Sequence, residues 1–271
     1  MNKFISNSVL SIAFLSLFSC WQYAVSAQNK TKPTAPSPIQ HQVIRWKGAD
    51  YVVVKTNPAV LHFFLEADGQ KFKSFDRLAT YLEKENKTLL FAMNGGMYLP
   101  AEDNEPQGLY IENGRVRTKL EPLTQHRPIK TNFYLHPNGI FSINRQNQAT
   151  VQSNEQFQRT YPNAVYKDIK FATQSGPMLV IDNKLHPAFT EKSKNIHIRN
   201  AVGVTDNNEV YLVLSQERIC FHDLASLFKD KLHCSNALYL DGFISKLYYP
   251  QLKQYQNKLT GNFGVILGIY K

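Results

Sequence analysis

Four short segments carry residue types that could do chemistry, and each adjoins a strongly apolar run: Asn94-Gly95-Gly96-Met97-Tyr98, Gln174-Ser175-Gly176-Pro177, His197-Ile198-Arg199-Asn200 and Asp241-Gly242-Phe243-Ile244-Ser245. A guanidinium can hold an oxyanion, a carboxylate can take a proton, and amides and hydroxyls can orient a polar ligand. Loops at strand ends are where a rigid scaffold presents such groups, and glycine there lets a ligand or a second backbone approach closely. A purely structural reading competes, because Gly95-Gly96 and Gly176-Pro177 are turn formers that many β proteins use with no ligand at all.

Strands must position these segments. Val43 to Trp46, Tyr51 to Lys55 and Val60 to Glu66 are short β-branched or aromatic runs parted by turn residues, which predicts an opening β-meander. Ser74 to Asn86 places Phe75, Leu78, Ala79 and Leu82 at helical spacing behind a Ser74 cap. A buried strand, Leu89 to Met93, should follow it. Further strands are expected at Gly108 to Ile111, Asn132 to His136 and Ile140 to Asn144, with Asn113-Gly114 and Asn138-Gly139 supplying turns. Ala201 to Thr205 and Val210 to Ser215 flank another hairpin signal, His222 to Lys231 reads as a short helix, and Asn236 to Leu240 and Gly264 to Tyr270 read as buried strands. Many short strands with few helices predict an α+β fold, one domain with a mixed, largely antiparallel β-sheet core.

The chain has 271 residues, 43% of them hydrophobic, with 31 basic and 21 acidic side chains and three cysteines. That excludes disorder, a collagen-like repeat and a cysteine-stapled miniprotein. The net charge of +10 favours anionic partners without choosing among them. Lys3, the apolar run Val9 to Phe18 and Val25-Ser26-Ala27 form the three parts of a secretory signal over residues 1–27, too short in its apolar part for a permanent span. Leu17-Phe18-Ser19-Cys20 also resembles a lipoprotein box, in which Cys20 would carry the lipid. Residues 28–40, with Pro33, Pro36 and Pro38, read as a tether, and 41–271 as the folded domain. An exported chain could pair Cys220 with Cys234, closing a loop worth about 3 kcal/mol in the chain-entropy model, but two buried thiols explain the residues as well. No spacing of Cys and His typical of zinc is present.

Taken in order, the four segments resemble the phosphodiester glycosidase family. The likeness rests on Asn94-Gly95-Gly96 with Tyr98, on Ser175-Gly176-Pro177-Met178-Leu179-Val180, on Arg199 with Ala201-Val202-Gly203-Val204, and on Asn236-Ala237-Leu238-Tyr239-Leu240-Asp241-Gly242. It implies an exported hydrolase that cleaves the bond between a sugar's anomeric carbon and a phosphate group, with a phosphate-bearing glycan or sugar phosphodiester as substrate. One branch of the family reads Asp-Gly-Gly-Gly-Ser after the last buried strand, whereas here Phe243 and Ile244 stand between Gly242 and Ser245 and would narrow a pocket.

Under that resemblance the roles divide by charge. Breaking a glycosyl phosphate develops positive charge on the sugar and negative charge on the leaving group. Arg199 is the expected phosphate clamp, aided by the Gly95 and Gly96 amides. Asp241 is the expected carboxylate facing the anomeric carbon or activating water, with Glu217 as the second acid. Asn94, Gln174, Ser175, Gly176 and Ser245 are the expected substrate-binding residues. Asp241, Glu217 and Asn94 could together ligate calcium, but no EF-hand spacing exists, so no cofactor is required. Two rivals stand beside this reading: a non-catalytic binder of anionic glycans, and a secreted phosphodiesterase. The sequence holds no P-loop or dense His/Asp two-metal set, so nucleic acid is not the expected partner.

Overall fold

Within the domain the strands sort into three larger antiparallel sheets, each backed on its outer face by a helix. The structure, a computed structural model, describes residues 39–121, 137–241, 244–255 and 259–271. The signal segment, Cys20, most of the tether, the expected strand Asn132 to His136, and Gly242 and Phe243 lie outside the described residues.

The elements, in chain order, begin with strands β1 (Ile39–Trp46), β2 (Ala49–Thr56) and β3 (His62–Phe64), helix α1 (Phe75–Lys84) and β4 (Leu89–Asn94). Next come β5 (Tyr110–Glu112), β6 (Arg115–Thr118), β7 (Gly139–Asn144), β8 (Ala149–Ser153), α2 (Asn154–Thr160), β9 (Ile169–Ser175) and β10 (Met178–Ile181). The last are β11 (Asn200–Val204), β12 (Val210–Ser215), α3 (Phe221–Ser226), β13 (Asn236–Tyr239), β14 (Leu247–Tyr248) and β15 (Ile266–Tyr270). The seven-stranded sheet runs β1-β2-β12-β11-β13-β10 and ends on the short strand Lys184–Leu185; a five-stranded sheet runs β6-β5-β9-β7-β8, and a four-stranded one β14-β4-β15-β3. No helix among the described residues is long and apolar enough to cross a membrane.

One apolar core is shared by all three sheets. Val54, Val202 and Leu212 of the first meet Phe141, Val151 and Phe171 of the second and Phe91, Met93 and Leu267 of the third. Alternation along each strand then decides what the opposite face needs. Tyr51, Val53, Ala201 and Val213 turn to the far side of the seven-stranded sheet and are covered by Leu224, Ala225 and Phe228. Phe75, Leu78 and Leu82 of α1 cover the four-stranded sheet through Leu89, Ala92 and Ile266. Phe157 of α2 covers the five-stranded sheet through Ile111, Ile140 and Ala172. This is the expected α+β class with an antiparallel core.

Several local readings shift. β1 begins at Ile39, which is buried and pairs with Thr56, so Ile39 and Gln40 belong to the sheet and not to the tether. Ser74 occupies the N-cap of α1 without its hydroxyl capping an amide; it bonds the Phe72 carbonyl instead. Asn57-Pro58 opens a single 3-10 turn, with the Asn57 side chain accepting from the Ala59 amide, so the third strand shortens to His62–Phe64. The expected helix His222 to Lys231 is α3 followed by a wider π turn over Leu227–Lys231. Cys220 and Cys234 are buried free thiols, and burial raises both pKa values.

One partly buried carboxyl gives the fold a readable pH dependence. Burial raises the carboxyl of Glu112 to about 7, and the Tyr110 hydroxyl that donates to it at 2.8 Å only partly offsets this. A carboxyl whose folded pKa lies above its unfolded value binds protons more tightly when folded, so its contribution is complete below the unfolded pKa and is lost as pH rises through about 7. Glu112→Gln should therefore flatten the fall in unfolding free energy between pH 4.5 and 8, an effect on the order of 3 kcal/mol at most. Urea titrations at those two pH values read it directly; equal slopes in both proteins would rule the assignment out.

Candidate active site

The ends of the three sheets converge on one cluster. Asn94 is the last residue of β4, Ser175 the last of β9 and Asn200 the first of β11, while Asp241 lies two residues beyond β13. Register makes the meeting unavoidable: Tyr239 pairs with Ala201, and the Leu240 amide donates to the Asn200 carbonyl at 3.3 Å. Asp241 therefore emerges beside Asn200. Sheet closure brings in β4, because the Asn200 side-chain amide donates to the Asn94 carbonyl at 2.8 Å.

Asp241 is 4% exposed, and its carboxylate accepts from Asn94 Nδ2 at 3.0 Å. The same Asn94 amide donates to the Ile244 carbonyl, and Asn94 Oδ1 accepts from the Lys246 amide at 2.7 Å. With those bonds in place Asn94 has no donor left for a sugar hydroxyl, so its expected role changes from ligand contact to orienting the carboxylate. Asn200 does the same from the other side, its Oδ1 accepting from the Asp241 amide and from Ser245 Oγ, each at 3.3 Å. Ser175 donates to the Leu240 carbonyl, fixing the backbone one residue before Asp241.

Arg199 is 1% exposed and lies on the opposite face of its strand from Asn200. Its Nε donates to the Ile219 carbonyl at 3.0 Å and its Nη2 to the carbonyl and side-chain oxygen of Asn195 at 3.1 and 3.0 Å. The guanidinium stacks on Phe221 with its carbon 3.6 Å from the ring centroid, and Phe221 meets Tyr239 edge-on. Burial lowers the arginine's pKa and Tyr239 acts in the opposite sense; the group remains a cation. A two-pronged grip on phosphate through Nε or Nη2 is thus occupied by the protein, which corrects the expected fork. What the geometry retains is a fixed positive charge.

The expected Gly95 donor also changes. The Gly95 amide donates to the Val265 carbonyl at 2.7 Å, within the four-stranded sheet. Gly96 sits where a Cβ would meet Thr173 Oγ1 and lie 2.6 Å from the Gln174 carbonyl, so its lack of a side chain lets β4 pass close to β9. Gly96→Ala should destabilise the fold by about 1 to 3 kcal/mol through backbone displacement, measured as a lower denaturation midpoint with an unchanged m value. A variant as stable as the wild type would contradict this packing. Gly176 joins Pro177 through a cis peptide bond in the turn between β9 and β10.

Two expected residues serve elsewhere. Gln174 accepts from the amides of Leu109 and Glu121 at 2.7 and 2.9 Å and donates to the carbonyls of Glu121 and Pro137 at 2.9 and 2.8 Å. Its four bonds tie together the two chain ends that border residues 122–136, leaving none for substrate. Glu217 is half-exposed at the β1–β2 hairpin, accepting from the Asp50 amide at 2.7 Å with Arg45 at 3.5 Å. It does not join Asp241, and among the described residues no group of three His, Cys, Asp or Glu side chains comes together, so the Asp241, Glu217 and Asn94 calcium set is not assembled.

Three residues without an expected role act on this cluster: Asn200 through its hydrogen bonds, and Tyr98 and Tyr239 through the charge of Asp241. Burial and the Asp241 charge raise the Tyr98 hydroxyl to about 12, and the same two causes, in that order of effect on its upward side, raise Tyr239 to about 12 against the opposing pull of Arg199. Both hydroxyls therefore lie within range of the carboxylate's charge. Their signal was available: Tyr98 ends the first segment, Asn200 follows Arg199, and Tyr239 precedes Asp241 by two.

Comparison with known proteins places the chain in a family. The phosphodiester glycosidase family model matches residues 87–266. YigE of Escherichia coli (strain K12) is 31% identical over 198 residues, covering 73% of this chain and 72% of that protein. The catalytic domain of zebrafish N-acetylglucosamine-1-phosphodiester alpha-N-acetylglucosaminidase, solved auto-inhibited by its pro-peptide, superposes with a TM-score of 0.57 at 13% identity, over 85% of this chain and 81% of that one. A Synechocystis protein superposes at 0.50 and 13% identity, over 86% and 61%. The matched span contains Asn94, Ser175, Arg199, Asn200, Tyr239, Asp241 and Ser245: this chain belongs to the phosphodiester glycosidase family.

Proposed function

We propose that the protein is an exported hydrolase that cleaves the bond between the anomeric carbon of a sugar and the oxygen of a phosphodiester. The observation that carries the reading is the buried Asp241 carboxylate, oriented by Asn94 and bordered, across Tyr239, by the fixed Arg199 cation. A site that must serve growing positive charge on the sugar and negative charge on phosphate needs both signs held in place before reaction. Here Asp241 takes a proton from water as the water oxygen bonds to the anomeric carbon. The C–O electron pair leaves with the phosphate, whose charge Arg199 stabilises through space, and Ser245 hydrogen-bonds a sugar hydroxyl. Export through residues 1–27 fits a substrate outside the cell.

Hydrolysis of the methyl ester of N-acetylglucosamine-1-phosphate in oxygen-18 water tests this. Label in the sugar with methyl phosphate released unlabelled is the expected result. Label in the phosphate would establish a phosphodiesterase, and saturable binding without product would establish a binding protein.

A further inference from the structure

Tyr239 ends β13 two residues before Asp241, and its hydroxyl is buried with no hydrogen-bond partner among the described residues. Its ring is held edge-on by Phe221 at 4.9 Å, 85° between planes, and the Arg199 guanidinium lies 5.4 Å from its centroid. Arg199 and Ser245 approach the hydroxyl as hydrogen-bonding neighbours and Asp241 acts on it through its charge, yet neither Arg199 nor Ser245 meets it at full hydrogen-bond distance and angle. An O–H shut away from water without an acceptor is rare in folded proteins and calls for an explanation, of which a missing ligand is one.

Other sites offer less. The buried Tyr51 hydroxyl and His222 Nδ1 also lack hydrogen bonds, but His222 already lies at ion-pair distance from Glu191 and Asp223, the charge of Asp223 acts on Tyr51, and Lys47 supplies the cation to both carboxylates. Tyr239 alone combines an orphaned donor with the catalytic carboxylate and cation.

We infer that Tyr239 is a further catalytic residue, whose hydroxyl donates a hydrogen bond to the phosphate oxygen that departs from the anomeric carbon. The inference rests on the glycosidase reading above. Burial and Asp241 hold the phenol protonated far above neutral pH, which suits a donor and not a nucleophile. No proton changes hands at Tyr239: the C–O electron pair passes to the phosphate oxygen, the water proton goes to Asp241, and the phenol stays intact. Its contribution is a donor aimed where negative charge develops, beside the Arg199 charge whose own donors are largely held by Ile219 and Asn195. A phosphate oxygen beside the Arg199 charge would supply the acceptor it lacks.

Tyr239→Phe keeps the ring and removes only the hydroxyl. With the methyl ester of N-acetylglucosamine-1-phosphate, kcat should fall about a hundredfold, the usual loss for one transition-state donor, while KM stays within a few-fold. The thermal midpoint should stay level or rise, because an unpartnered buried hydroxyl has been removed. A kcat within threefold of wild type, or a lowered midpoint with full activity, would overturn the inference and make the hydroxyl structural. If the wild type leaves the diester intact, the glycosidase reading fails by itself. Calorimetric titration with methyl phosphate then decides the Tyr239 role separately: binding at least fivefold weaker in Tyr239→Phe supports it, and equal binding, or no binding to the wild type, overturns it.

Discussion

Asp241→Asn is expected to lower kcat by about a hundredfold or more while the protein unfolds within a few degrees of the wild type. The substitution preserves shape and leaves an oxygen to accept from Asn94 Nδ2, so the contacts that lock the segment survive. What disappears is the negative charge and the ability to take a proton from water. The same loss can be read without substrate. Asp241 helps raise the hydroxyls of Tyr98 and Tyr239, so removing its charge should shift the tyrosine ultraviolet titration to lower pH by those two groups. A variant with unchanged kcat would remove Asp241 from the reaction; an unchanged titration would contradict its place beside the two tyrosines.

The site was legible in the sequence where residue type and strand end coincide. Asn94, Arg199, Asp241 and Ser245 stand at the margins of apolar runs, and those margins converge because β4, β11 and β13 end on the same side of the core. Which of these polar groups face a ligand was not legible. Asn94, Gln174 and Arg199 have the chemistry for substrate contact, but the structure fills their hydrogen bonds from residues between 4 and 152 positions away in the chain. Glu217 is expected from its adjacency to a strong strand, yet β12 delivers it to the β1–β2 hairpin, and β12 and β11 stand between β2 and β13, the strand that leads to Asp241.

The fold shows the same division. Apolar strand runs such as Tyr51 to Val54 and the apolar stripe of α1 could be read directly, since burial there follows the local sequence. β8 and α2 are not among the expected elements, although Ser153-Asn154-Glu155-Gln156 is a reciprocal capping box: the Gln156 amide donates to Ser153 Oγ at 3.2 Å and the Ser153 amide to Gln156 Oε1 at 2.9 Å. That signal was present and needed only its helix. By contrast, no local pattern says that three sheets share one core, because Val202, Phe141 and Met93, one from each sheet, come from three separate parts of the chain.

Arg199→Lys should impair stability and turnover together, and separating the two effects defines what the arginine does. Lysine keeps the charge but not the plane. One ammonium cannot reach the Ile219 carbonyl and both Asn195 oxygens at once, nor stack flat on Phe221, so at least one buried acceptor loses its donor. Leaving such a group unsatisfied costs about 1 to 3 kcal/mol, and the lost stacking adds to it, so the urea midpoint should fall. Assayed well below that midpoint, where both proteins are folded, kcat should still be lower by about tenfold or more, since a mobile ammonium supplies a less organised field at the departing phosphate. Wild-type stability would show that the three hydrogen bonds are not what holds the segment from Asn195 to Ile219. Full kcat in the folded variant would leave charge at the phosphate to be met by the Tyr239 hydroxyl, and Tyr239→Phe combined with Arg199→Lys would then lose no more than Tyr239→Phe alone.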